Sequence, residues 1–235
     1  MSLTILLGVS ILPIYFLAKL IYDLDQEKEP KKLLKELLIS GCFSCVLVLM
    51  VSFTLGDIIP LFSTDPMSMS FFEKVMYSFF CVGLVEEGCK YLMLYTTTYN
   101  HKEFNFTFDM IVYAVFVSLG FALLENILYV LQGGLLTGIL RAVTAVPAHA
   151  SNAVFMGIFL SHAKQYEYIN KTKSMTFKIL GVAVPRILHC IYDTLAFSNA
   201  LLILIMFITT FFTITVIYVK DKQKKDLSLN SYHIE

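Results

Sequence analysis

Apolar residues run along this chain in seven stretches, at roughly 3–22, 37–56, 75–97, 110–131, 135–161, 179–197 and 200–219. Each is close to the ~20 residues a helix needs to cross the hydrocarbon core of a bilayer. Breakers and charges separate them: Glu27 to Lys32, the stretch from Asp57 to Pro66, Asn100 to Asn105, Gly133 and Gly134, Lys164 to Lys173, and Ser198 with Asn199. The pattern predicts an all-α, polytopic integral membrane protein of about seven transmembrane helices. It forms a single membrane domain over 1–235, without an internal repeat. The chemistry is expected in the helices at about 75–197. The polar tail, about 220–235, is expected to be disordered and to serve at most as a topology anchor.

Lysine placement orients the bundle. The first loop carries Lys28, Lys31, Lys32 and Lys35, the third Lys102, and the fifth Lys164, Lys171, Lys173 and Lys178; the tail carries Lys220, Lys222, Lys224 and Lys225. The second, fourth and sixth connections carry none. Cytoplasmic loops concentrate Lys and Arg, so the N-terminus is expected outside and the C-terminus in the cytoplasm. The first stretch has no basic residue before it and reads as a retained helix, not a cleaved signal.

Composition agrees. The 235 residues are 57% hydrophobic and 15% charged, against roughly 25% charged in soluble domains. A formal net charge of +0 offers no attraction for nucleic acid. Cys42, Cys45, Cys81, Cys89 and Cys190 all lie in apolar stretches, which suits small buried hydrophobes better than a disulfide framework or a zinc ribbon.

Charges inside the apolar stretches carry the functional signal, because a charge at mid-membrane costs at least ~2.5 kcal/mol. The third stretch holds Glu86, Glu87 and Lys90, the fourth Glu125, the fifth Arg141 and His149, and the sixth Arg186, His189 and Asp193. The pairs Glu86 and Lys90, Phe121 and Glu125, and His189 and Asp193 are each four apart and share a helix face. Arg141 and Arg186 lie within about two turns of helix ends; snorkelling or pairing accounts for them, and they are left out of the site. Counted at ~1.5 Å per residue, the acids and histidines meet only if the fifth helix starts near Ile139 and the helices tilt, which puts the site in the outer half of the membrane. Pro147 and Pro185, close before His149 and His189, would kink their helices.

The motifs Glu86-Glu87-x-x-Lys90, Phe121-x-x-x-Glu125-Asn126, His149-Ala150 running on to Gly157, and His189-x-x-x-Asp193 stand in this order. Each is weak alone. Together, in apolar helices over about 75–197, they resemble the PrsW family of intramembrane proteases, related to the CAAX prenyl-protease and bacteriocin-processing group. The resemblance implies a bacterial, multi-pass cell-membrane protease. Its expected substrate is a membrane-anchored protein such as an anti-sigma factor, cut first on its outward side (site-1 cleavage) in stress signalling.

Peptide hydrolysis needs an activated water, a base and an oxyanion holder. His149, His189 and Glu125 are expected to bind a divalent metal, zinc by its usual two-histidine, one-glutamate set. Glu86 or Glu87 would then be the general base. Lys90 would neutralise one of that pair, Asn126 and Asn152 would donate to the oxyanion, and Asp193 would orient His189. A metal-free route through a glutamate alone stays open. Two other classes compete: a proton-coupled transporter or channel, since intramembrane acids and histidines also build proton relays, and a catalytically inactive membrane scaffold.

Overall fold

The computed structural model describes residues 2–229. Their regular structure is helical, with one isolated bridge between Phe106 and Ser228. In order the helices are α1 (Leu3–Leu24), α2 (Lys31–Gly56), the short α3 (Pro60–Ser63), α4 (Phe71–Met76), α5 (Leu84–Thr98), α6 (Asp109–Val143), α7 (Ala145–Gln165), α8 (Lys171–Phe197) and α9 (Leu201–Lys224).

Leu3–Leu24, Lys31–Gly56, Asp109–Gln165, Lys171–Phe197 and Leu201–Lys224 are long and apolar enough to cross a membrane. Their outward side chains suit lipid: Phe16 is 62% exposed, Phe53 77% and Leu202 72%. Large apolar groups that face outward on α1, α2 and α9 have no favourable partner in water. The chain is a multi-pass membrane protein. The third expected span, 75–97, is not among the five segments. It lies in a rod of three joined parts, where a π-helical turn at Tyr77–Gly83 links α4 to α5.

The first half of α6 is the axis of the fold. From Asp109 to Ala122 it is buried on every side. A helix apolar all round finds a low-energy place only with neighbours on all faces. Backbone contact brings α2 against it: a Cβ on Gly41 would lie 1.9 Å from the Val117 carbonyl, and one on Gly120 would lie 2.0 Å from that of Leu38. Small residues at such crossings let membrane helices gain van der Waals contact where no hydrophobic force separates protein from lipid.

Two expectations change here. The stretch 135–161 is not one helix, because Thr144 leaves helical geometry (φ −120°, ψ −70°) between α6 and α7. Pro147 therefore falls in the first turn of α7, where its missing N–H costs nothing, rather than kinking a helix interior. Pro185 does lie inside α8. The tail is also ordered further than its polarity suggests. α9 runs to Lys224, and the Thr107 N–H then donates to the Leu227 carbonyl (3.0 Å) while Asp226 Oδ1 accepts from the Thr107 hydroxyl (2.8 Å) and the Phe108 N–H (2.9 Å). These bonds satisfy donors at the start of α6, and residues 230–235 lie outside the described residues.

Between α1 and α2, Asp25 and Glu29 are only 3% and 5% exposed. Burial pushes the Asp25 carboxyl up to about 6 and Glu29 up to about 7. In the unfolded chain both ionise near pH 4. Stability at this site is therefore full below that and falls as pH rises through 6 to 7. Glu29→Gln is expected to raise the melting midpoint in detergent by a few degrees at pH 8 and to leave it unchanged at pH 4. An equal shift at both would contradict the burial account.

Candidate active site

Four helices converge on one buried cluster. α5 brings Glu86, Glu87 and Lys90, α6 brings Phe121 and Glu125, α7 brings His149, and α8 brings His189 and Asp193. Glu86 and His189 are 7% and 4% exposed, and Glu87 and Lys90 1% each. The π-helical turn sets the rotation with which α5 enters, a common use of such turns at functional sites. Arg186 of α8 holds that turn: its Nε donates to the Phe79 carbonyl (3.0 Å) and its guanidinium stacks 3.6 Å from the Phe79 ring centre.

The acids and bases form a connected network. The Lys90 ammonium donates to Glu87 Oε1 (2.8 Å), Glu86 Oε2 (3.3 Å) and His149 Nδ1 (3.2 Å), and lies 4.0 Å from the centre of the Phe121 ring. An ammonium has only donors, so Nδ1 of His149 accepts, and its Nε2–H donates to Glu125 Oε2 (2.9 Å). His189 Nδ1 donates to Glu87 Oε1 (2.8 Å), while its Nε2 lies 3.3 Å from Asp193 Oδ2 and 3.7 Å from Glu86 Oε2. A carboxylate on one imidazole nitrogen leaves the other directed into the site. The Ser118 hydroxyl donates to the His149 carbonyl (2.9 Å) and ties the second turn of α7 to α6.

Glu86, Glu87, His149 and His189 each offer a ligand atom within 4.8 Å of the other three. Two imidazoles and two carboxylates, all buried, suit a borderline divalent ion such as zinc. Asp193 Oδ2 is buried beside them without a hydrogen bond of good geometry. Glu125 stands outside this group, its Oε2 bonded to His149 and to Arg141 Nη2 (2.6 Å).

Arg141, which its place near a helix end would explain as snorkelling, instead belongs to the site. It follows Glu125 by sixteen positions, about 24 Å along a straight helix, yet touches it. α6 is two helical segments that meet at Gly134, where the chain reverses; its φ of 75° and ψ of −163° belong to a region only glycine enters cheaply. Arg141 Nε donates to Asn126 Oδ1 (2.9 Å) and its guanidinium stacks 4.0 Å from the Tyr129 ring centre. A charge in an apolar stretch was the only available signal, and a helix end explained it equally well.

A cavity of about 410 Å³ opens onto the cluster. Its charged and imidazole lining is Glu86, Glu125, Arg141, His149, His189 and Asp193; its wall also includes Leu49, Phe62, Tyr77 and Phe197. Glu86 faces this space, while Glu87 and Lys90 lie behind the lining. Asn126 and Asn152, expected as oxyanion donors, do not line the cavity either. Asn126 is fully buried and donates from Nδ2 to the Ser10 carbonyl of α1 (3.2 Å).

Residues 29–219 match the model of the PrsW family intramembrane metalloprotease. The protease PrsW of Oceanobacillus iheyensis is 35% identical over 217 residues, covering 92% of this chain and 94% of its own. That of Clostridioides difficile is 35% identical over 160 residues (65% of each), and that of Bacillus subtilis 40% over 124 residues (52% and 56%). No solved structure matches. With four in-order motifs gathered at one buried site and a family match across most of its length, the chain belongs to the PrsW family of intramembrane metalloproteases and is a peptidase.

Proposed function

We propose that this protein is a zinc-dependent protease of the bacterial cell membrane that makes the first, outward-facing cut in a membrane-anchored anti-sigma factor. The observation that carries the chemistry is the convergence of Glu86, Glu87, His149 and His189 beside the cavity. His149, His189 and Glu87 would hold the metal, which leaves Glu86 free to act on water. When bound, zinc supplies a lowered pKa for water and polarisation of the scissile carbonyl.

The protein's own groups do the rest. Glu86 faces the cavity and takes the proton from the attacking water, then returns it to the departing amine nitrogen. Glu87 sits behind it and holds His189 through Nδ1. Glu125, expected from the sequence as a third ligand, acts in this reading on the ring of His149, and Arg141 anchors Glu125. Apolar walls from α2, α3 and α8 keep bulk water away and suit an unwound piece of a substrate helix. Phe62 supports the outward side: it comes from the lysine-free connection after α2, away from the lysine-rich loops.

The test is cleavage in proteoliposomes holding the full chain and a membrane-anchored anti-sigma factor, with zinc measured on the same preparation. Wild type should release a fragment cut near the outer end of the substrate helix. His149→Ala and His189→Ala should lose zinc and cleavage together. Intact substrate accompanied by proton or solute flux would favour the transporter class instead.

A further inference from the structure

We infer that Lys90 is the cation this site carries when it holds no metal, and that its ammonium must withdraw from Glu86, Glu87 and His149 before a divalent ion is bound. The inference rests on the metal-dependent reading above. Its basis is where the donors and lone pairs are. The ammonium donates to three of the four converging residues, at 3.3, 2.8 and 3.2 Å, and Lys90 is 1% exposed.

His149 makes the conflict sharp. A neutral imidazole has one lone pair on its ring nitrogens. Here that lone pair is on Nδ1 and accepts from Lys90, while Nε2 donates its proton to Glu125. No lone pair of His149 is free for a metal while Lys90 stays. Turning the ring over to the other tautomer would break the bond to Glu125, which Arg141 holds in place at 2.6 Å. A monovalent and a divalent cation at one set of buried acceptors also repel each other strongly.

The same geometry explains what Lys90 does without metal. Glu86 and Glu87 are adjacent buried carboxylates, and the ammonium compensates both. The Phe121 ring 4.0 Å away adds a cation–π contact that holds it there. Lysine and metal thus share one set of acceptors, and removing one strengthens the other's hold. Such coupling is reciprocal and amounts to roughly 5–150-fold in affinity.

The test uses full-length protein in mild detergent at one fixed pH, with zinc affinity read by competition against a chromophoric chelator. Melting midpoints are taken with and without zinc. Lys90→Met should bind zinc at least about tenfold more tightly than wild type. It should melt lower than wild type without metal and recover more than wild type when zinc is added. Lys90→Arg, which keeps the charge, should show no gain in affinity.

Equal or weaker zinc binding by folded Lys90→Met overturns the inference while leaving the metal reading intact. If Lys90→Met folds only when prepared in zinc, the inference is supported. If it fails to fold even in zinc, while Lys90→Arg folds, lysine's charge is needed alongside the metal and the inference fails. If wild type takes up no zinc either, the metal reading falls with it.

Discussion

Glu86→Gln is expected to lower peptide hydrolysis by roughly 10²–10⁴-fold, the usual contribution of a positioned general base. Glu86 is the acid of the pair that lines the cavity, and its Oε2 lies 3.3 Å from the Lys90 ammonium and 3.7 Å from His189 Nε2. A glutamine amide keeps the shape and a carbonyl acceptor for Lys90 but cannot take a proton from water. The fold should therefore survive, with a melting midpoint near that of wild type. Glu87→Gln should behave differently. Its Oε1 accepts from both Lys90 and His189 at 2.8 Å, so the variant should lose stability as well as activity. The readout is single-turnover cleavage of a membrane-anchored substrate beside a thermal melt of the same sample. Glu86→Gln cleaving within tenfold of wild type would remove Glu86 from the role of base.

Arg141→Met should be the largest stability loss among the site's outer residues, about 3–5 kcal/mol, the usual penalty for deleting one partner of a buried ion pair. Glu125 and Arg141 side chains are 15% and 13% exposed, so water screens the pair only weakly. Without the guanidinium, Glu125 keeps only the His149 N–H at 2.9 Å, and Asn126 Oδ1 loses its donor. Cleavage should fall about 10–100-fold, the usual effect of removing a group that orients a metal ligand. The double variant Arg141→Met with Glu125→Gln should recover much of the stability, because no uncompensated carboxylate remains. It should not recover the rate, because a neutral amide without its guanidinium anchor holds the His149 ring more weakly than the carboxylate does. A single variant that melts with wild type would show that Glu125 finds another partner and that Arg141 is dispensable.

Much was legible in the chain because lipid imposes simple rules. Apolar length, breakers and lysine placement predict a membrane bundle, since a backbone in hydrocarbon must close its own hydrogen bonds. Glu86, Glu87, Lys90, Glu125, His149, His189 and Asp193 stood out because charges in apolar helices are costly and persist where they serve a cavity. All seven meet at one site. Helical spacing also read correctly the link between Glu86 and Lys90 and the closeness of His189 to Asp193.

What spacing could not carry was anything that depends on rotation between helices. Which glutamate faces the cavity depends on the π-helical turn before α5, and no local residue pattern announces that extra residue per turn. Gly133 and Gly134 mark the reversal between the two stretches, but the rotation that turns the Arg141 guanidinium onto Glu125 depends on the positive φ of Gly134. The ordered tail depends on donors at the start of α6, 118 residues earlier in the chain. Apolar length and the charges within it are enough to specify a membrane protein with acids and histidines in its middle helices. Which lone pairs face one another follows from the packed bundle alone, because helix rotation is set by contacts among all the helices at once.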